Sequence, residues 1–190
     1  MNYKNIAVFA SHGGSDLQAI IDGCKSGSIN ARVCVVISNN STSMALQRAK
    51  KEGIPALHIS TSTTATLAET TLEALTAHNA DIIFLAGYLK KIPSEILVAY
   101  ENRIFNIHPS LLPKYGGKGM HGINVHAAVI DAGETETGIT IHRVTAEYDQ
   151  GDILAQKKVP VHPTDTPETL AARVLQQEHI FLVEFLSKNP

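Results

Sequence analysis

Asn106 and His108 stand two residues apart at the end of an apolar run, Ile104 to Ile107, and Pro109 and Pro113 stiffen the chain that follows. Side chains two apart on an extended strand share a face, so this amide and imidazole can open into one cleft. Pro113 is a candidate for a cis bond. A second polar loop, Glu147-Tyr148-Asp149-Gln150-Gly151-Asp152, comes later. An amide, an imidazole and a carboxylate brought together suit the transfer of an acyl group between nitrogens. His108 and Asn106 would be donors to a developing oxyanion. Asp149 would orient the imidazole, favour its charged form and take a proton from an attacking amine, directly or through water. Each residue also has an ordinary reading: a structural asparagine, a satisfied histidine at a sheet rim, an Asx turn at Asp149 with Asp152 as a competing carboxylate.

Other chemistries find less support. Ser110 is close to His108, but the chain has no nucleophile elbow. His121, His126 and His142 are dispersed and lack zinc spacing, so no metal is expected. His142 is the best placed of the three, because it alternates with Thr140 in a strand leading toward Asp149.

The elements that must position these groups follow from apolar patterning. Ile6–Ala10, Val33–Ile37, Ile82–Ala86 and Ile104–Ile107 read as short continuous strands, with a weaker one at Ala56–Ile59. Between them, Leu17, Ile20 and Ile21, then Met44 to Lys51 closed by Gly53, then Leu67, Leu72 and Leu75 recur at helical spacing. Continuous strands alternating with helices predict an α/β fold with an open, mostly parallel sheet covered on both faces. The second half changes character. Gly116, Gly117, Gly119 and Gly122 crowd one loop, and Val125–Ile130 reads as a helix. Thr140–Thr145 and Ile153–Val159 read as a ribbon at the sheet edge. Thr166 and Pro167 suit the cap and first turn of a last helix to about Leu186. No repeat or internal domain boundary is visible.

The loop Ser11-His12-Gly13-Gly14-Ser15 joins the first strand to the first helix. Its glycines allow a close backbone approach, and free amides with the Ser15 hydroxyl can hold a phosphate. An ordinary tight turn would look much the same. Asp16 suits the helix start but repels a phosphate, and can instead accept a hydrogen bond from a ligand hydroxyl or amine.

Composition sets the limits. Of 190 residues, 44% are apolar, enough for a substantial core, and 16 basic against 18 acidic side chains give a formal charge of -2. That balance offers no global attraction to nucleic acid or anionic lipid. No apolar run is long enough to cross a bilayer, and no secretory signal pattern opens the chain, so a cytoplasmic location is expected. Cys24 and Cys34 lie in apolar patterns without redox or metal spacing and are expected as buried free thiols.

Nearly the whole chain resembles the folate-dependent phosphoribosylglycinamide formyltransferases of purine synthesis. The resemblance is carried by Ser11 to Ser15, Ala86-Gly87-Tyr88-Leu89, Asn106 to Pro113, Lys114 to Met120, Gly138 to His142, Asp149-Gln150-Gly151 and Gln177-Glu178-His179. It implies a Rossmann-like formyltransferase fold over residues 1–190, with an N-terminal phosphate-binding half and a C-terminal half contributing to a folate site. It implies catalysis by Asn106, His108 and Asp149. Substrate phosphate would lie at His12, Gly13, Gly14, Ser15 and Asp16, and Glu178 would help hold the glycinamide. The folate would lie against Tyr88, Leu89, Lys90, Lys91 and Ile92, and against Val144, Thr145, Ala146, Glu147 and Tyr148. The implied donor is 10-formyltetrahydrofolate, the partners are small molecules with no nucleic acid or membrane, and the chain is a monomer or weak homodimer. Three positions depart from the family pattern: His12 where glycine is common, Asp16 where asparagine is common, and Lys90 in place of an arginine, which keeps charge but loses the planar fork. Other folate formyltransferases, a formyltetrahydrofolate hydrolase and a non-catalytic folate or nucleotide binder are the alternatives.

Overall fold

The computed structural model describes residues 5–61 and 66–188. Its strands are β1 (Asn5–Phe9), β2 (Arg32–Ser38), β3 (Ala56–His58), β4 (Ile82–Leu85), β5 (Ile104–His108), β6 (Glu136–Arg143) and β7 (Ile153–Pro160). Its helices are α1 (Ser15–Ser26), α2 (Met44–Lys51), α3 (Leu67–Ala77), α4 (Ser94–Ala99), α5 (Ile123–Asp131) and α6 (Pro167–Lys188). The strands form one sheet in the order β3-β2-β1-β4-β5-β6-β7. β3 through β5 run parallel, and β6 and β7 are added antiparallel at one edge.

The pleat divides the core in two. Ile6, Val8 and Ala10 of the first strand region pack with α1, α2, α5 and α6, whereas Ala7 and Phe9 pack with α3 and α4. Burial on both faces explains why β1 and β4 read as unbroken apolar runs. α6 buries Leu170, Val174, Glu178, Leu182, Phe185 and Leu186 along one stripe. Thr166 Oγ1 accepts from the Thr169 amide while Thr169 Oγ1 accepts from the Thr166 amide, a reciprocal cap that starts this helix.

Two sequence expectations need correction, and one element was not foreseen. β6 spans Glu136–Arg143, not Thr140–Thr145, because Gly138 and the turn residues before it conceal the strand start. The α4 turn was not expected, since six residues carry too little periodicity. Cys34 is buried but Cys24 is only half-buried, though both are free thiols whose burial pushes them up to about 11. Among the described residues no helix is long and apolar enough to cross a membrane.

Candidate active site

β1 leads outward to β2 and β3, while β4 and β5 extend the sheet the other way, so the order reverses between β1 and β4. Ligands of open α/β sheets lie beyond the strand C-termini at such a reversal. A cavity of about 470 Å³ is found there, within the range of small-molecule sites. A larger, more open groove of about 1010 Å³ lies along α3 and α4, and among the described residues its charged lining groups are Glu69, Glu73 and Glu95. Its described lining holds no imidazole, amide side chain or cation, whereas the smaller cavity is lined by Asn106, His108 and Asp149 together, so the smaller cavity is the candidate.

Segment Tyr88–Ile92, after β4, and segment Val144–Tyr148, after β6, both line this cavity, together with Asn106, His108, Asp149, Asp16 and Glu178. Two sequence-distant loops expected to hold one ligand therefore face one space. Tyr88 is fixed edge-on against Phe9, ring centroids 5.3 Å apart. Lys91 bridges the two segments, 3.5 Å from Glu147 and 5.4 Å from the Tyr148 ring centre. Lys91 and Glu147 are exposed, so this link adds little stability.

The antiparallel register of β5 and β6 sets Asn106 opposite His142 and His108 opposite Thr140. His142 Nδ1 lies 2.7 Å from the Arg143 carbonyl, which can only accept, so Nδ1 carries a hydrogen. The other nitrogen, Nε2, lies 3.0 Å from Asn106 Nδ2. Asp149 Oδ1 lies 3.4 Å from His142 Nε2 and 3.7 Å from His108 Nδ1. Asp149 is thus shared by two imidazoles and is nearer to His142. His142 completes the cluster; its alternation with Thr140 was the sequence signal for it.

Asp149 adopts φ 57, a left-handed conformation that aspartate tolerates better than most residues. Its Oδ2 accepts from the Gly117 amide at 2.8 Å. The turn beneath it is tightly closed: a Cβ on Gly151 would come within 1.9 Å of the Arg143 carbonyl oxygen. His108 is anchored from behind, with Nε2 donating to the Tyr115 carbonyl at 2.8 Å. Leu112–Pro113 is cis. The chain there is held by Thr140, whose hydroxyl donates to Ser110 O and accepts from the Leu112 amide and Gln156 Nε2.

Burial lowers the His108 pKa, more strongly than Asp149 and the Tyr115 carbonyl raise it. Asp149 thus favours the charged form of His108, as expected, but desolvation is the larger effect and the net shift is downward. Burial works to raise the Asp149 carboxyl, but His142, His108 and the Gly117 amide together bring it below the ordinary range. The site thus pairs a carboxylate that ionises more readily than usual with an imidazole that protonates less readily.

A second polar group sits where α1 meets α6. Asp16 and Glu178 are buried, at 9% and 7% exposure, and both line the cavity. Burial pushes Asp16 up to about 6. Burial, then the neighbouring Asp16, raises Glu178 well above its ordinary value. His179 Nε2 stands 3.5 Å from Asp16 Oδ1. The rest of the first loop, His12, Gly13, Gly14 and Ser15, does not line this cavity. It turns beside it, with Gly14 at φ 67 pressed within 2.9 Å of Ala45 by a notional Cβ. Sequence reading missed Arg48, whose Nε donates to Gly13 O at 2.9 Å and puts a cation behind this loop. Its only signal was a basic residue in the last turn of α2. Ser11 was read only as part of the loop. Its hydroxyl donates to Asn39 and accepts from the Leu89 amide, so it ties the first loop to the Tyr88 segment.

The sequence model described as formyl transferase matches residues 4–186. The chain is 44% identical over 185 residues to the chloroplastic phosphoribosylglycinamide formyltransferase of Arabidopsis thaliana, covering 95% of this chain and 63% of that protein. It is 40% identical over 179 residues to the phosphoribosylglycinamide formyltransferase of Haemophilus influenzae, covering 93% and 82%. Among solved structures, glycinamide ribonucleotide transformylase 1 from Symbiobacterium toebii matches with TM-score 0.90 at 38% identity, over 98% of this chain and 87% of that one. The chain spans about three-fifths of the length of the plant relatives it matches.

Proposed function

The chain belongs to the formyl transferase family, and from that premise we propose that it transfers the formyl group of 10-formyltetrahydrofolate to the amine of 5-phosphoribosylglycinamide. The products are formylglycinamide ribonucleotide and tetrahydrofolate. The observation that carries this reading is the meeting of Asn106, His108 and Asp149 at one cavity that two further segments also line. The relatives' names supply the choice of acceptor.

In this reading the uncharged amine attacks the formyl carbon, and the carbonyl oxygen gains negative charge. Asn106 Nδ2 carries two hydrogens and its contact with His142 Nε2 engages at most one, so one is left for that oxygen. His108 already has its Nε2 hydrogen on the Tyr115 carbonyl, so the nitrogen left for the reaction is Nδ1. Neutral Nδ1 can accept a proton from the attacking amine. The imidazolium so formed is stabilised by Asp149 and becomes a donor to the oxyanion. As the carbon–nitrogen bond to the folate breaks, that proton passes to the departing nitrogen, directly or through water. No proton is gained or lost overall, and no covalent enzyme intermediate is required.

Tyr88, Leu89, Ile92 and Val144 supply an apolar wall suited to a pterin, with Lys90, Lys91, Thr145, Ala146, Glu147 and Tyr148 around it. The loop His12–Asp16, backed by Arg48, would take the substrate phosphate, and Glu178 the glycinamide portion. The glycine-rich segment 116–122 would close over bound substrates, using left-handed turns at Gly117, Gly119 and Gly122.

The test is direct. Purified protein is mixed with 10-formyltetrahydrofolate and the glycinamide ribonucleotide, and both products are measured. Equal amounts of each are expected, with no folate turnover when the acceptor is omitted. Turnover without acceptor would indicate a hydrolase, and binding without product a non-catalytic protein. His108→Ala should lower kcat at least about 10²-fold while retaining cooperative unfolding; unchanged kcat would remove His108 from the reaction.

A further inference from the structure

His108 and Asp149 come from different elements, β5 and the turn after β6, and no covalent link sets their spacing. One short strap touches both from behind. The Tyr115 carbonyl accepts from His108 Nε2 at 2.8 Å, and two residues later the Gly117 amide donates to Asp149 Oδ2 at 2.8 Å. Gly116 fills the space between: a Cβ there would lie 2.5 Å from Leu112 Cδ2 and 3.2 Å from Asp149 Cβ. Tyr115 holds φ 56, unusual for a bulky residue, and such a conformation persists only where the surroundings impose it.

The restraint comes from outside the cavity. Tyr115 Oη donates to Glu134 Oε1 at 2.9 Å, and Lys114 Nζ lies 2.7 Å from the same oxygen. Glu134 stands just beyond α5, in the connection to β6, and it does not line the cavity. Two adjacent side chains of the strap therefore converge on one carboxylate anchored in another part of the fold. Lys114 and Glu134 would count for little as an isolated surface ion pair. Here their geometric effect is larger, because the strap's next atoms are the Tyr115 carbonyl and the Gly117 amide.

We propose that Glu134, acting through the Tyr115 hydroxyl, is a positioning residue that keeps the strap's carbonyl on His108 and its amide on Asp149. The proposal rests on the formyl-transfer reading for its kinetic consequence, but not for its structural one. The carbonyl can only accept, so it forces the neutral ring to carry its hydrogen on Nε2 and presents the Nδ1 lone pair to the reaction. Release of the strap lets the ring adopt either tautomer and lets the His108–Asp149 spacing relax.

The experiment compares Tyr115→Phe, Glu134→Ala and Glu134→Gln with the parent chain. Tyr115→Phe removes one oxygen and keeps the ring, so the fold should survive, and thermal unfolding checks this. Nitrogen-15 NMR of His108, read without any substrate, should show pyrrole-type Nε2 and pyridine-type Nδ1 in the parent. Both signals should move toward averaged values in Tyr115→Phe and Glu134→Ala. In the transfer assay kcat should fall on the order of tenfold or more, with KM for both substrates within about twofold. Glu134→Gln retains an acceptor oxygen and should recover most of the loss. Unchanged nitrogen shifts and unchanged kcat in both Tyr115→Phe and Glu134→Ala would overturn the proposal, as would a fall in thermal stability with neither readout altered. If the parent itself transfers no formyl group, the functional reading fails, while the nitrogen shifts still decide the role of the strap.

Discussion

Asp16 shows most clearly what one atom's environment can do. The sequence places an aspartate in the first turn of α1, and the structure buries it beside Glu178. A buried carboxyl near a second carboxyl resists ionisation, and burial pushes Asp16 from 3.8 up to about 6. The sign of the pH effect follows. Well below pH 3.8 the carboxyl is protonated in both folded and unfolded chains, so it costs nothing. As pH rises through 6 the folded chain must ionise it against burial, and stability falls. Asp16→Asn removes that cost. The variant is expected to be more stable at pH 7.5 by up to about 3 kcal/mol, with the difference fading near pH 4, measured by urea unfolding at both values. An equal gain at both pH values would mean that ionisation is not the source. Sequence could name Asp16 and Glu178 separately, but not that α1 and α6 put them together. The same limit applied to His108: its neighbour Asp149 was foreseen, whereas the burial that outweighs Asp149 is a property of everything packed around the ring.

At the scale of elements, β6 is the informative strand. Its start was misread because a glycine in a strand usually weakens the pattern. Gly138 is there for space. A Cβ would come within 2.2 Å of the Lys157 carbonyl oxygen on β7 and 2.5 Å of Leu111 Cδ2. Gly138→Ala is therefore expected to cost about 1–3 kcal/mol, lowering the thermal midpoint by several degrees. Activity should fall as well, since Leu111 belongs to the loop that follows His108. An unaltered midpoint would show that β6 and β7 can separate without penalty. The register of β5 and β6 also decides the cluster chemistry. It places Asn106 across from His142, and a shift of one residue would turn His142 to the other face. Alternation suggested His142; only pairing gave it a partner.

For the whole molecule, the sheet predicts a gradient of local stability. β1 and β4 are central, paired on both sides and buried on both faces, whereas β7 is an edge strand with most residues partly or fully exposed. Amide exchange should therefore be slowest in β1 and β4 and fastest in the two edge strands, β3 and β7. Comparable protection in β7 would indicate that a second copy or another partner covers that edge. The central strands were readable from sequence because burial on both faces writes itself as a continuous apolar run, and the last helix because Thr166, Pro167 and a periodic stripe announce it. The reacting residue types were legible too, since an amide, an imidazole and a carboxylate in polar loops at strand ends are chemically conspicuous. What sequence could not hold was distance. The sharing of Asp149 by two histidines, the lowered basicity of His108 and the strap behind it all depend on strand register and on what packs around each group, and these exist only once remote segments are in contact.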